Sequence, residues 1–85
     1  MIAIIDYGVG NLFSLKSSLA AIGREAVVTG DRAVLRAASH AILPGVGAFG
    51  DAAARLRAAG MAEAVLEAAA AGKPVLGICL GMQLL

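Results

Sequence analysis

Gly77-Ile78-Cys79-Leu80-Gly81 follows directly on the apolar pair Val75-Leu76 and contains the only cysteine of the chain. Two glycines spaced around a nucleophilic side chain are typical of a nucleophile elbow, in which a buried strand turns sharply into a helix. The turn exposes the central side chain at the start of the helix, and the flanking glycines allow it sterically. A cysteine at the start of a helix meets unpaired N–H groups and the positive end of the helix dipole, which favour the thiolate. We therefore predict that Cys79 is a nucleophile presented between a strand and a helix.

The rest of the chain alternates short apolar runs with helical patterns. Four apolar runs without polar alternation predict strands that are covered on both faces, at residues 2–5, 26–28, 41–43 and 75–78. Helices are predicted from Leu12 with Asn11 as N-cap, from Asp31 as cap through Ala38, from Asp51 to Gly60, and from Met61 to Ala71. This alternation with short connections predicts an α/β fold, an open parallel sheet with helices on both faces.

Composition and charge narrow the class of protein. Eighty-five residues make at most one small domain, and a net charge of +1 gives no electrostatic case for nucleic acid or an anionic membrane as partner. No run approaches the ~18 apolar residues that cross a bilayer, and the N-terminus lacks the basic region of a signal peptide. A single cysteine forms no internal disulfide, so we expect a cytoplasmic protein.

Three segments follow predicted strands and should meet at the carboxyl edge of the sheet, where ligands bind in such folds. They are residues 6–11, residues 44–47 (Pro-Gly-Val-Gly) and Cys79. A thiolate that attacks a carboxamide carbon generates an oxyanion, which preorganised N–H groups stabilise. At an elbow one N–H belongs to the next residue, Leu80, and the glycine turn at 44–47 is suited to supply the second. The alternative is a tight turn beside a cysteine that only packs.

Several other polar residues have more than one interpretation. His40, the only histidine, begins the third predicted strand, roughly 13 Å from its other end, so we expect it at the surface and not as the base for Cys79. Asn11 is either a helix cap alone or part of the site. Gln83 lies one helical turn after Cys79. It either faces the pocket at Cys79, where it could form a hydrogen bond with a polar substrate, or has no part in the site. We expect Met82 in the core and Lys73 as a solvated charge in a turn.

Residues 77–83, Gly-Ile-Cys-Leu-Gly-Met-Gln, resemble the nucleophile motif of the class I (triad) glutamine amidotransferases. Ile-Asp-Tyr-Gly-Val-Gly-Asn at 5–11 and Leu-Pro-Gly-Val-Gly-Ala-Phe at 43–49 make the chain similar, more narrowly, to the glutaminase subunits of imidazole glycerol phosphate synthase, an enzyme of histidine biosynthesis. The resemblance covers essentially the whole chain. It implies that residues 1–85 are the N-terminal part of a single amidotransferase domain.

The resemblance also implies roles for individual residues. Cys79 attacks the side-chain amide of glutamine, releases ammonia and forms a glutamyl thioester that water hydrolyses. The N–H of Leu80 and an N–H from Val46 or Gly47 form the oxyanion hole. Gly47 and Gln83 contact the bound glutamine, and neither a metal nor a cofactor is implied.

The partner implied by the resemblance is a (β/α)₈-barrel cyclase, which receives the ammonia through an internal passage. Asn11 is then expected close to the glycine turn at the interface between the subunits, and the turn is expected to rearrange when the partner binds its substrate. The family's base and its orienting carboxylate, a His and a Glu two residues apart, have no match in these residues. We therefore expect the 85 residues alone to be inactive and to fold poorly.

Two other interpretations remain open. In one, the fold and nucleophile are the same but the ammonia serves another acceptor, as in other amidotransferases. In the other, the chain is a catalytically silent α/β module that binds a small ligand or a protein, and Cys79 is structural.

Overall fold

Within residues 1–84, four parallel strands form one sheet in the order β2-β1-β3-β4. The computed structural model describes residues 1–84, except for the side chains of Cys79 and Leu80. The strands are β1 (Ile2–Ile5), β2 (Ala26–Thr29), β3 (His40–Gly45) and β4 (Val75–Cys79). The helices are α1 (Leu12–Ala21), α2 (Arg32–Ala37), α3 (Phe49–Ala58), α4 (Met61–Ala70) and α5 (Leu80–Leu84). The predicted parallel α/β architecture is therefore confirmed.

The first two helices begin at side-chain caps that the sequence predicts. The Asn11 side-chain oxygen accepts a hydrogen bond of 3.3 Å from the Ser14 N–H at the start of α1. At α2 the Asp31 carboxylate accepts one of 2.8 Å from the Ala33 N–H. Each bond satisfies a backbone donor that has no partner within the helix, and this fixes where the helix starts.

The third helix starts two residues before the predicted Asp51. Its N-cap residue, Ala48, makes no side-chain hydrogen bond. Asp51 instead lies inside the first turn, and its Oδ2 lies 3.2 Å from Nε of Arg55, one turn later. The acidic side chain thus supports the positive end of the helix from within and does not mark its boundary.

The third strand continues through Pro44 and Gly45, where the sequence predicts a break. The Ala41 N–H donates to the Pro74 carbonyl, so Ala41 turns its backbone groups toward the β4 side. In a strand the backbone hydrogen-bonding groups of successive residues point alternately to the two neighbouring strands. Those of Ala41 point to β4, so the backbone groups of Pro44, three residues later, point to the β1 side. Pairing with β1 ends at Ile42, so the N–H that proline lacks is not needed there.

Helices cover both faces of the sheet, as the sequence predicts. On one face α2, α3 and α4 pack on the sheet through a core in which Ile5, Leu35, Leu43 and Met61 are almost fully buried. On the other face lies α1, which has no fully buried residue. This second face is therefore more open, and Leu76 of β4 is 58% exposed.

Lys73 is not the solvated turn residue that the sequence predicts. Its Nζ donates to the Leu35 carbonyl at 2.6 Å and to the Arg36 carbonyl at 3.0 Å. Both carbonyls belong to the last turn of α2, whose final C=O groups lack partners within the helix. The ammonium group thus satisfies these carbonyls and complements the negative end of the helix dipole.

Glu67 of α4 forms ion pairs with two arginines of α2. Its Oε2 lies 2.9 Å from Arg32 Nη2, and its Oε1 lies 3.2 Å from Arg36 Nη2. The hydrogen bond from Arg32, and then the charge of Arg36, hold the pKa of Glu67 below its usual 4.5. Because the folded pKa is the lower one, the stabilisation is present above the unfolded value and is lost as the pH falls through the folded value.

We expect Glu67→Gln to lower the melting temperature slightly at about pH 7 and by less near about pH 3, because the stabilisation by the charged carboxylate is lost as the pH falls through the folded pKa. Thermal unfolding at the two pH values measures the difference. Glu63→Gln is the matched control, because Glu63 is 82% exposed and lies 3.8 Å from Arg32. Its effect should be smaller, and an equal loss for Glu67→Gln at both pH values would contradict the prediction.

Candidate active site

The chain passes directly from β4 into α5 at the predicted elbow. Cys79 is the last residue of β4 and Leu80 the first of α5. A Cβ on Gly77 would lie 2.7 Å from Cα of Met82, closer than such contacts occur. The glycine is therefore required by the close approach of strand and helix. The side chains of Cys79 and Leu80 lie outside the described structure, so the backbone alone locates the predicted nucleophile.

The second glycine of the elbow packs on β3. A Cβ on Gly81 would overlap the carbonyl oxygen of Leu43 and would lie 2.8 Å from its carbonyl carbon. Gly81 is buried, and only a residue without a side chain fits between α5 and this strand. The elbow is thus anchored to the strand that carries the glycine turn.

The glycine turn begins beside Cys79. Gly45 is the ladder partner of Cys79 across β3 and β4, and neighbouring strands lie about 4.8 Å apart. Val46 and Gly47 follow, both exposed, and Gly47 has a φ of +87°, a left-handed conformation that favours glycine. The structure therefore brings the turn and the strand that ends in Cys79 together at one edge.

The first loop, residues 6–11, packs against the same turn. The Tyr7 hydroxyl donates a hydrogen bond of 2.5 Å to the Pro44 carbonyl. A Cβ on Gly10 would lie 3.0 Å from Cβ of Pro44, so the loop backbone touches the proline ring. Tyr7 is buried, and this burial raises the pKa of its phenol. All three sequence motifs consequently meet around Pro44.

Asn11 both caps α1 and borders the site. With Ser14 of α1, Val46 of the turn and Ile78 of β4, it lines a pocket of about 260 Å³. Asn11 is therefore a helix cap that also lines the candidate pocket, and its role in the site stays a prediction. Its side-chain oxygen is held by the cap, while the residue lies next to the glycine turn.

His40 lies at the opposite end of β3 from the glycine turn. It is exposed, and its Nδ1 lies 2.9 Å from Oγ of Ser39. The prediction of a surface histidine that is remote from Cys79 is confirmed. A larger pocket of about 880 Å³ lies at this end, with Met1 and Pro74 in its wall. Parallel α/β sheets bind ligands at the carboxyl ends of their strands, so the smaller pocket is the candidate site.

Met82 and Gln83 are both exposed on α5. The prediction that Met82 belongs to the core is wrong, since its side chain is 66% exposed. Gly81 is the residue of α5 that faces β3. Each following residue is rotated by about 100° around the helix axis, so Met82 faces away from the strand. Gln83 is accessible to a ligand, and its contact with a substrate stays a prediction.

Tyr7 is the site residue that sequence reasoning missed. Residues 6–11 have the composition of a turn, which by itself predicts no role for the tyrosine within them. A signal was present, because an aromatic residue directly follows the buried run 2–5. A large ring at that position fills the space beyond the strand end, and its hydroxyl then needs a partner.

Within the described part of the chain, no three His, Cys, Asp or Glu residues come close enough together to hold a metal ion. Likewise, none of the helices described for residues 1–84 has the length and apolar character needed to cross a bilayer.

Residues 3–85 match the family model for glutamine amidotransferase class-I. Among curated proteins, the imidazole glycerol phosphate synthase subunit HisH of Sulfurimonas denitrificans is 56% identical over 85 residues, which are 100% of this chain and 41% of that protein. The subunit of the same description from Symbiobacterium thermophilum is 56% identical over 84 residues, 99% of this chain and 40% of that protein. This chain thus spans about two fifths of the length of the curated relatives it matches.

A solved structure of a glutamine amidotransferase superposes on this fold with a TM-score of 0.77. The alignment covers 95% of this chain and 43% of the other, at 22% sequence identity. This likeness shows the fold, a parallel sheet with flanking helices.

Proposed function

The chain belongs to the class-I glutamine amidotransferase family, and we propose that residues 1–85 carry the nucleophile and the oxyanion-binding turn of a glutaminase that supplies ammonia for imidazole glycerol phosphate synthesis. The relatives in the preceding comparison, at 56% identity, are subunits of that synthase. The ammonia would serve ring closure in histidine biosynthesis.

The proposed reaction starts when the Cys79 thiolate attacks the side-chain carboxamide carbon of glutamine. The carbonyl π electrons move to oxygen, and the N–H of Leu80 together with that of Val46 or Gly47 stabilises the oxyanion. When the oxyanion collapses, the C–N bond breaks, and the NH₂ group takes a proton from the conjugate acid of the general base and leaves as ammonia. Water then gives a proton to the base and adds to the thioester carbon, and the C–S bond breaks to give glutamate and the Cys79 thiolate. Gly47 and Gln83 are assigned to binding the glutamine.

The ladder pairing of Gly45 with Cys79 is the observation that supports this proposal most directly. An oxyanion hole needs two N–H groups that point at the position of the same developing oxyanion. One belongs to the residue after the nucleophile. The pairing brings the exposed turn at 46–47 next to the end of the nucleophile strand, where the second N–H is required.

We assign the general base and its orienting carboxylate to sequence outside residues 1–85. His40, the only histidine among them, lies at the other end of β3. Residues 1–85 are accordingly the N-terminal part of one amidotransferase domain in this proposal. The isolated 85 residues should release no steady ammonia from glutamine.

The proposed partner is a (β/α)₈-barrel cyclase subunit, which forms a heterodimer with the glutaminase in the cytoplasm. Asn11 is proposed to lie at the interface between the two subunits. Its position beside the glycine turn, on the wall of the small pocket, is consistent with a contact between the partner and the turn.

A hybrid subunit tests the proposal. In it, residues 1–85 of this chain replace the matched 41% of the Sulfurimonas denitrificans subunit, and the hybrid is purified with the cyclase of that organism. We expect glutamine-dependent formation of glutamate and of imidazole glycerol phosphate, because the only part exchanged carries Cys79 and the turn. Coupled assay of glutamate measures the first product.

Ammonium salt in place of glutamine is the internal control, because free ammonia bypasses the glutaminase. A hybrid that binds the cyclase and supports the ammonia-dependent reaction, but forms no glutamate and resists a diazo-ketone analogue of glutamine, would overturn the proposal. That outcome would instead favour a silent α/β module.

A further inference from the structure

The Pro44 carbonyl has an unusual hydrogen-bond partner. Along β3 the neighbouring ladder from β1 ends at Ile42, so Pro44 faces the β1 side without a strand to pair with. Beyond that point the buried Tyr7 hydroxyl takes the place of a backbone donor, 2.5 Å from the carbonyl oxygen. The phenol has a raised pKa, so it stays protonated and able to donate at neutral pH.

This hydrogen bond fixes a whole peptide plane. The Pro44 carbonyl and the Gly45 N–H belong to one planar trans unit and point in opposite directions. Holding the carbonyl toward the β1 side therefore turns the Gly45 N–H toward β4, where Gly45 pairs with Cys79. The orientation of this plane sets the direction in which the chain enters the exposed turn.

The turn itself offers few constraints of its own. Gly45 is still held by its pairing with Cys79, but Val46 after it is 57% exposed and Gly47 has the wide backbone freedom of glycine. A flexible turn samples conformations in which its N–H groups point away from the nucleophile. The last plane before the glycines is consequently the place where an anchor limits that sampling most.

We propose that Tyr7 is a positioning residue, whose hydroxyl holds the Pro44–Gly45 peptide so that the glycine turn presents its N–H to the oxyanion formed at Cys79. This inference rests on the proposed glutaminase function and adds a residue outside the turn and the elbow. Tyr7 acts through the backbone of the turn and does not touch glutamine.

Tyr7→Phe in the hybrid subunit, assayed with its cyclase well below the melting temperature of either protein, tests the inference. We expect kcat for glutamine hydrolysis to fall about tenfold with an unchanged KM, because misplaced N–H groups weaken transition-state binding only. A γ-aldehyde analogue of glutamine, which forms a tetrahedral adduct with the thiol, should bind more weakly by the same factor. Inhibition by glutamate should stay the same.

Thr29→Val is the matched control. Thr29 is buried, and its Oγ1 accepts a hydrogen bond of 3.0 Å from the Asp31 N–H, at β2, away from Pro44. The variant loses a buried hydroxyl, as Tyr7→Phe does, and the hybrid that carries it should keep the kcat of the parent hybrid. An unchanged kcat in Tyr7→Phe, or an equal fall in both variants, would overturn the positioning role while leaving the function intact. A parent hybrid without glutaminase activity would overturn the function itself, and the positioning role with it.

Discussion

Cys79→Ala in the hybrid subunit should reduce glutamine hydrolysis by roughly 10⁴-fold or more, the scale of losses that follow removal of a catalytic nucleophile. Without the thiolate no thioester forms, and the oxyanion-binding N–H groups have no tetrahedral intermediate to stabilise. Glutamate formation in the purified complex measures this loss. The ammonia-dependent reaction should stay at the parent rate, because it does not use the elbow.

Cys79→Ser separates nucleophilicity from shape. Serine fits the same space, but its hydroxyl is not ionised near neutral pH, so its activity should be almost as low as that of the alanine variant. The diazo-ketone analogue should label the parent at Cys79 and neither variant. Glutaminase activity above a tenth of the parent rate in Cys79→Ala would show that the nucleophile lies elsewhere.

Backbone features of the site were predictable from the sequence because they follow from local rules. Apolar runs without alternation predict buried parallel strands, and such strands bring their carboxyl ends to one edge. The glycine spacing around Cys79 predicts the turn from β4 into α5, and Asn11 and Asp31 predict the starts of α1 and α2. Each inference depends on residues that are close in sequence.

The contacts that the sequence did not predict join residues far apart along the chain. Lys73 reaches two carbonyls of α2, and Tyr7 reaches Pro44, over separations of 37 or 38 residues. β3 continues through Pro44 because its pairing with β1 has already ended at Ile42, so no hydrogen bond from the proline nitrogen is needed. This is a property of the sheet and not of the proline. Met82 is exposed because Gly81 takes the inner position on α5. None of these outcomes follows from local propensity.

Gly81→Ala should destabilise the protein by about 3 kcal/mol, at the upper end of what overpacking usually costs. Its Cβ would overlap the Leu43 carbonyl oxygen and lie 3.1 Å from the Pro44 carbonyl carbon. These are backbone atoms of a central strand, so no side-chain rotation relieves the overlap. The helix must move away from β3, and the elbow with it.

Urea unfolding of the hybrid subunit measures this cost, and Gly50→Ala is the matched control. Gly50 also lies in the first turn of a helix, but a Cβ there would meet no atom within 4 Å. Alanine is the better helix former, so Gly50→Ala should be neutral or stabilising by up to about 1 kcal/mol. Equal stability of the two variants would contradict the packing of α5 on β3. A loss confined to Gly81→Ala, together with lower glutaminase activity, would mean that the contact holding the fold together at Leu43 also holds the elbow in place.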